Sequence, residues 1–93
     1  MAATLINTMR GADGTVVVEI RGEIDVANAD RVRQVLLNAS RQQPVRLVVD
    51  LLHATFIDST GIGALVAGCH AARELGVPLR IRQPGPFIEA QLR

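Results

Sequence analysis

A short apolar run in the middle of the chain constrains the fold more than any other feature of the sequence. Residues 45–52 form an almost continuous hydrophobic stretch that only Arg46 and Asp50 interrupt. The stretch follows Pro44, and it is short and rich in valine, which is typical of a strand buried inside a sheet. We therefore predict that residues 45–52 form a strand in the middle of a β-sheet.

The length of the chain limits it to one small domain. With 93 residues it can build a single hydrophobic core, so we expect one domain over residues 1–93. Hydrophobic residues make up 48% of the chain and charged residues 20%. That balance is ordinary for a globular protein and excludes intrinsic disorder.

Charge and composition exclude several partners and compartments. The formal net charge is +1 and there is no Trp or Tyr, so neither nucleic acid nor anionic lipid is indicated. Cys69 is the single cysteine, which rules out an internal disulfide and favours a reducing compartment. The longest uncharged apolar stretch, residues 61–69, is far shorter than the ~20 residues of a membrane helix, and no signal peptide is apparent. We expect a cytoplasmic protein with no direct membrane insertion.

Strand patterns stand at both ends of the chain. Residues 5–9 and 15–21 flank a turn signal at residues 11–14 and predict a hairpin that Gly22 ends. Three residues of the second strand share its core face: Val16, Val18 and Ile20. Residues 79–82 alternate strictly and predict another strand, and residues 87–93 form at most two turns of helix.

Two amphipathic helices lie between these strands. The first is capped by Asp25 or Asn28, and its apolar face holds Ala29, Val32, Val35, Leu36 and Ala39. The second covers residues 60–75, ends at Gly76, and carries its apolar face on Ile62, Leu65, Val66, Cys69 and Ala72. A polar loop, residues 54–59, precedes it. The order of elements predicts an α/β fold in which amphipathic helices pack on a mixed sheet.

Asp58, Ser59 and Thr60 form a polar junction between the buried strand and the second helix. A phosphorylated hydroxyl there would face unpaired N–H groups and the positive end of the helix dipole, which stabilises it by roughly 0.3–1 kcal/mol. Gly61 and Gly63 remove side chains and would let another protein approach the backbone. A structural interpretation stands beside this one: one of the three polar residues is simply the helix cap, and the glycines relieve packing.

Two motifs resemble the STAS family of anti-sigma factor antagonists. One is Val49-Asp50-Leu51 followed by Phe56-Ile57-Asp58-Ser59-Thr60-Gly61, and the other is Gly22-Glu23-Ile24-Asp25. With the order of elements, the resemblance covers nearly the whole chain. It implies that Ser59 accepts a phosphoryl group from an ATP-dependent anti-sigma factor serine kinase and that a phosphatase removes it. The unphosphorylated form would bind the kinase and release the sigma factor.

The same resemblance implies a partner-binding surface on two segments, residues 22–28 and 58–65. Its candidate residues are Glu23, Asp25, Asn28, Asp58, Ser59, Thr60, Gly61, Ile62 and Gly63. Asp25 would lie near Ser59 and orient its hydroxyl or shape the docking surface, although it could equally cap the first helix. Similar domains continue as a full helix after residues 79–82, so the C-terminal helix here is expected to be short or truncated. An uncovered part of the sheet would then affect stability or dimerisation, which leaves a homodimer open.

Other functions are less well supported by the residues. Within the family, a module of a transporter or of a lipid-transport assembly is the alternative; outside it, a small nucleotide-binding or enzymatic domain. His53, Cys69 and His70 lack the carboxylate pattern and spacing of a metal site. Gly61, Gly63 and Gly68 do not have dinucleotide-binding spacing and fit a helix face of small residues. We expect no catalytic activity, metal or cofactor.

Overall fold

A computed structural model describes residues 4–92, which form five strands and three helices. In chain order these are β1 (Leu5–Arg10), β2 (Thr15–Ile24), α1 (Ala29–Arg41), β3 (Arg46–Asp50), β4 (Ala54–Ile57), α2 (Ser59–Glu74), β5 (Leu79–Arg82) and α3 (Pro86–Leu92). The predicted domain and the last predicted segment both extend to residues outside the described range. The predicted α/β class, with helices on a mixed sheet and a short C-terminal helix, is confirmed.

The sheet has the order β1-β2-β3-β5, and β4 pairs with the far end of β2. β1 and β2 form the predicted antiparallel hairpin, in which Leu5 lies opposite Arg21. β3 runs parallel to both β2 and β5, with Val49 between Val18 and Ile81. The apolar run therefore does form an interior strand, although its ends, Val45 and Leu52, are exposed.

Two sequence predictions about the region that leads to the site are wrong. Gly22 does not end the second strand, because β2 continues to Ile24 after a register shift between Gly22 and Glu23. Gly22 has a positive φ of 91°, a conformation that glycine adopts without strain. The predicted loop over residues 54–59 contains β4, which pairs in parallel with this extension of β2.

The hydrophobic core lies between one face of the sheet and the helices. Val16, Val18 and Ile20 are buried there as predicted. Residues of α1 cover them, among them Val32 and Leu36, each with no exposed surface. The predicted apolar face of α1 is confirmed, and Ile88 of α3 adds to the same core.

The buried face of helix α2 overlaps the predicted one only in part: Leu65 and Ala72 are buried as predicted, and Ile62 is half-buried. Its buried residues are Gly61, Ala64, Leu65, Gly68 and Ala72, whereas Val66 is 48% exposed. A Cβ atom at Gly68 would lie 2.5 Å from Leu36 Cδ1, so the missing side chain lets α2 approach α1 closely. The interpretation of the glycines as part of a small-residue face is correct for Gly61 and Gly68. No helix within residues 4–92 has the length and apolarity needed to cross a bilayer.

Candidate functional site

The site is built where β2 and β4 end side by side. Ile24 pairs with Ile57, and the Asp58 N–H donates to the Ile24 carbonyl oxygen at 3.1 Å. Because parallel strands present their carboxyl ends at one edge of a sheet, the next residues along the two strands, Asp25 and Asp58, share that edge. The pairing of β2 with β4, which the sequence did not predict, brings the two motifs together.

Asp58 caps helix α2. Its extended backbone, with φ −100° and ψ −177°, directs Oδ1 to the Gly61 N–H at 2.8 Å. Its carbonyl oxygen accepts the first helical hydrogen bond, from the Ile62 N–H at 2.9 Å. A carboxylate in this position satisfies an otherwise unpaired N–H group and complements the helix dipole.

Ser59 and Thr60 follow the cap as the first two residues of α2, and both are exposed. Within residues 4–92, neither hydroxyl has a hydrogen-bond partner. The structural interpretation of this junction therefore applies to Asp58, while the Ser59 hydroxyl takes no part in the cap. It is open to a reagent or partner from solvent.

The two glycines near Ser59 differ in their surroundings. A Cβ atom at Gly61 would lie 2.7 Å from the Ile24 carbonyl oxygen and 2.8 Å from Ile57 Cγ1. The space left by Gly61 is taken by the protein's own β2 and β4, so the prediction that it admits a partner is wrong. Gly63 is exposed with open space around it, and Ile62 is half-buried against the core.

The turn between β2 and α1 is held together by Asn28. Its Oδ1 accepts from the Asp25 N–H at 3.1 Å, and its Nδ2 donates to Thr4 Oγ1 at 2.9 Å and to the Glu23 carbonyl oxygen at 2.8 Å. Asn28 occupies the N-cap position of α1 without a side-chain capping bond. Asp25 Oδ1 instead accepts from the Ala27 N–H at 3.0 Å. Neither side chain caps α1 as predicted; both shape the turn.

A shallow groove of about 240 Å³ separates this turn from the start of α2. It is lined by Val26, Ala29, Asp30, Arg33, Thr60, Gly63 and Ala64. Val26 is 75% exposed at the tip of the turn, and Arg33 Nη2 pairs with Asp30 Oδ1 at 2.6 Å along one wall. The sequence analysis included Val26 only as part of the segment 22–28 and did not select Asp30 or Arg33. The available signal was Val26, an apolar residue directly after the Gly-Glu-Ile-Asp motif.

A third aspartate, at the end of β3, lies at the neighbouring part of the same sheet edge and is paired with an arginine. Asp50, at the end of β3, accepts from Arg82 Nη2 at 2.9 Å and from the Leu52 N–H at 3.0 Å. Desolvation alone would raise the pKa of Asp50, but these hydrogen bonds and the Arg82 charge outweigh it and lower that pKa. Burial raises the pKa of the Cys69 thiol, which favours its protonated form. In the part of the chain that the structure describes, no three His, Cys, Asp or Glu side chains are grouped to hold a metal ion.

Comparisons with protein families and with solved structures agree on the family and the fold of the chain. The family described as the STAS domain matches residues 8–93. An anti-sigma factor antagonist from Mycobacterium paratuberculosis has a similar structure, with a TM-score of 0.79 and 27% identity over 97% of this chain and 74% of that chain. No curated protein matches the sequence.

Two more distant solved structures share the fold. The Bacillus cell fate determinant SpoIIAA in its phosphorylated form has a TM-score of 0.71 and 19% identity over 94% of this chain and 79% of that chain. The murine anion transporter Slc26a9 has a TM-score of 0.77 and 19% identity, but the match covers 89% of this chain and 14% of the transporter.

Proposed function

Because the chain belongs to the STAS domain family, we propose that it is an anti-sigma factor antagonist that is switched by phosphorylation of Ser59. In its unphosphorylated form it binds an anti-sigma factor serine kinase, and the sigma factor is released. Phosphorylation ends that binding, and a phosphatase restores it. This proposal places the protein in the cytoplasm, where sigma factors and ATP are found.

The observation that carries the proposal is the free hydroxyl of Ser59. The neighbouring Asp58 already caps α2, and the exposed serine side chain forms no hydrogen bond with any residue of the described range 4–92. An acceptor serine must reach the active site of another protein, and a side chain that holds the helix end together could not do so without cost. The position of Ser59 in α2 therefore supports a role in an intermolecular reaction.

In that reaction the chain supplies only the acceptor. The Ser59 oxygen would attack the γ-phosphorus of ATP bound to the kinase, ADP would leave, and a base of the kinase would take the hydroxyl proton. The product carries a charge of about −1.5 to −2 at neutral pH on the first residue of a helix, where the dipole stabilises it. We therefore expect the phosphorylated protein to keep its fold.

The negative charge that surrounds Ser59 explains why phosphorylation would release the bound partner. Asp58 and Asp25 lie at the same strand edge, and neither forms an ion pair within residues 4–92. A phosphate on Ser59 would add negative charge to this uncompensated pair and bulk to the contact. Repulsion and desolvation would weaken the complex without a conformational change.

The proposed partner surface surrounds the groove. Val26 offers an exposed apolar anchor on one side, and Thr60 and Gly63 form the other side. Asp25 and Asn28 hold the turn that presents Val26, and Glu23 is exposed beside it. In this arrangement Asn28 and Asp58 position the surface, while Val26, Ser59 and Thr60 contact the partner.

Kinase labelling tests the proposal. The purified protein is incubated with its cognate anti-sigma factor kinase, ATP and magnesium, and the site is located by intact mass and fragment mapping. We expect one phosphoryl group on Ser59 in the wild type and in the control Thr60→Val, and none in Ser59→Ala. Full labelling of Ser59→Ala, for example on Thr60, would contradict the assignment. A transporter module would need no acceptor serine, so absence of labelling in the wild type would favour that alternative.

A further inference from the structure

The face of the sheet opposite the helices carries most of the charged residues of the strands. Side chains alternate along each strand, so when Val16, Val18 and Ile20 point to the core, Thr15, Glu19 and Arg21 point to the other face. The paired strands extend this polar face with Arg46, Val48, Asp50, Arg80 and Arg82. None of these residues lines the groove beside Ser59.

A cleft of about 530 Å³ lies on this face, lined by Asp13, Thr15, Arg46, Val48, Arg80 and Arg82. Its volume is more than twice that of the groove beside Ser59 and lies in the range of small-molecule sites, roughly 300–1,000 Å³. Val48 in its floor is only 6% exposed although it lies on the face opposite the helices. The long arginine stems around Val48 explain this burial.

The three arginines of the cleft have unequal partners. Arg82 pairs closely with Asp50, at 2.9 Å. Arg46 Nη1 lies 4.0 Å from Asp13 Oδ2 and 3.3 Å from Thr15 Oγ1, which is a weak pairing. Arg80 has neither an ion pair nor a hydrogen bond within residues 4–92.

The sheet register brings these side chains together. Arg80 lies opposite Val48, Arg82 follows two residues later on the same face, and Arg46 is diagonal to Arg80 across β3 and β5. Neighbouring like charges on a sheet face are unfavourable, and an unpaired guanidinium keeps five N–H donors available. A multiply charged anion would relieve the repulsion and use the donors.

We infer that this cleft binds a small phosphorylated molecule through its phosphate groups, with Arg80 as the principal contact and Arg46 and Arg82 on either side. Guanidinium groups bind phosphate oxygens in a bidentate manner, and several of them can share one diphosphate. None of the described residues that line the cleft is aromatic, so none of them would stack on a nucleobase. Asp13 at the rim lies 4.0 Å from Arg46, so Arg46 would make a weaker contact with the anion than Arg80 does.

Titration with inorganic pyrophosphate at constant ionic strength tests this inference. Amide resonances of the labelled protein are followed by NMR, with acetate as the monovalent control. We expect saturable shifts at Arg46, Val48 and Arg80 with pyrophosphate and none with acetate. Absence of saturable shifts at these residues would overturn the inference.

A charge-matched pair of variants separates a site from general attraction. Arg80→Gln should weaken pyrophosphate binding by about tenfold or more, because it removes the principal bidentate contact. Arg31→Gln removes the same charge from the exposed side of α1 and should change binding less than twofold. Equal weakening by both variants would mean that net charge alone attracts the anion, and it would contradict the site. Both side chains are exposed and have no ion pair or hydrogen bond within residues 4–92, so both variants should fold, with Arg80→Gln lowering the melting temperature by at most a few degrees because its shorter side chain covers Val48 less.

Discussion

The carboxyl edge of the sheet has two halves that use aspartate in opposite ways. In the half formed by β3 and β5, Asp50 is paired with Arg82 at 2.9 Å and its side chain is only 10% exposed. In the half formed by β2 and β4, the carboxylates of Asp25 and Asp58 bind backbone N–H groups and no other partner among residues 4–92. Both halves have satisfied aspartates, but only the second leaves its negative charge without a cation.

This difference fits the proposal that a phosphorylation switch lies in the second half. An unpaired arginine beside Ser59 would bind an added phosphate and strengthen local order, as in many phosphorylation sites. The arginine near this half, Arg33 in the wall of the groove, is already paired with Asp30 at 2.6 Å. Under the proposed function, a phosphate on Ser59 would add to carboxylates that have no paired cation within residues 4–92 and would repel a partner.

The largest effect is expected where the second half is packed most tightly. Gly61→Ala would place a Cβ atom 2.7 Å from the Ile24 carbonyl oxygen, which is fixed by its bond to the Asp58 N–H. Overpacking of this kind costs typically 1–3 kcal/mol, and we expect a loss of about 2 kcal/mol in the free energy of unfolding. For a domain of this size that lowers the melting temperature by roughly 8–16 °C in a calorimetric scan.

Gly63→Ala is the matched control on the same helix. Its new methyl group would meet nothing within 4 Å, so alanine should stabilise the helix by about 0.5–1 kcal/mol. Equal melting temperatures for the two variants would show that α2 can shift away from β2 and that the contact is not rigid.

The sequence predicted the features that depend on a repeated pattern. Val16, Val18 and Ile20 alternate over a full strand, and the face of α1 repeats over three turns, so both were identified correctly. β4 was missed because it has only four residues and forms by pairing with β2 beyond Gly22. The buried face of α2 was predicted correctly at Leu65 and Ala72 but not at its small residues, because large apolar residues were expected to be buried, whereas close helix packing selects glycine and alanine.

At the candidate site, too, the features that depend on local sequence were predicted, and those that depend on long-range packing were not. The Asp58 cap follows from a local preference of helix starts, and the structure has it. The role of Asn28 depends on its contacts with Thr4, which is distant in the chain, and with the backbone of Glu23 in β2. No local sequence pattern predicts such contacts. The groove, likewise, exists only after α1 and α2 have been packed together.

The next effect is on binding, and it tests whether the second half tolerates more charge. Ser59→Asp adds a carboxylate beside Asp58, which should weaken affinity for the anti-sigma factor kinase at least about tenfold, or ~1.4 kcal/mol. The melting temperature should stay within a few degrees of the wild type, because a carboxylate at a helix start is favourable. Titration calorimetry and circular dichroism melts provide the two readouts.

Ser59→Ala is the control for that variant, and it should bind as the wild type does but escape release by ATP. If Ser59→Asp binds as tightly as the wild type, the charge argument fails. If instead its melting transition collapses, Ser59 has a structural role that its lack of hydrogen bonds does not reveal.

A smaller effect is expected from removing the cap in the second half. Asp58→Ala leaves the Gly61 N–H without its acceptor and should cost about 1 kcal/mol, the usual value for an N-cap. Asp58→Ser keeps an acceptor oxygen and should recover most of that loss. Faster hydrogen exchange at the Gly61 amide in Asp58→Ala, but not in Asp58→Ser, would locate the effect; unchanged exchange in both would show that Asp58 is not the cap in solution.

The smallest effect is expected on the stability in acid of the half formed by β3 and β5. Because the pKa of Asp50 is lowered in the folded state, Asp50 adds stability at pH values above its ordinary unfolded pKa of about 3.9, and this stability is lost as the pH falls through the folded value. The slope of unfolding free energy against pH below about pH 4 should therefore be shallower in Asp50→Asn, which cannot titrate. Arg82→Gln removes the charge and hydrogen bond that lower the pKa, so it should flatten the same slope. Arg82 is 44% exposed, and solvent screening keeps the effect modest. Urea unfolding at a series of acidic pH values measures these slopes. If the slope of Asp50→Asn is as steep as that of the wild type, other carboxylates cause the acid sensitivity. The Asp50–Arg82 pair would then not make the half formed by β3 and β5 more stable at neutral pH than in acid.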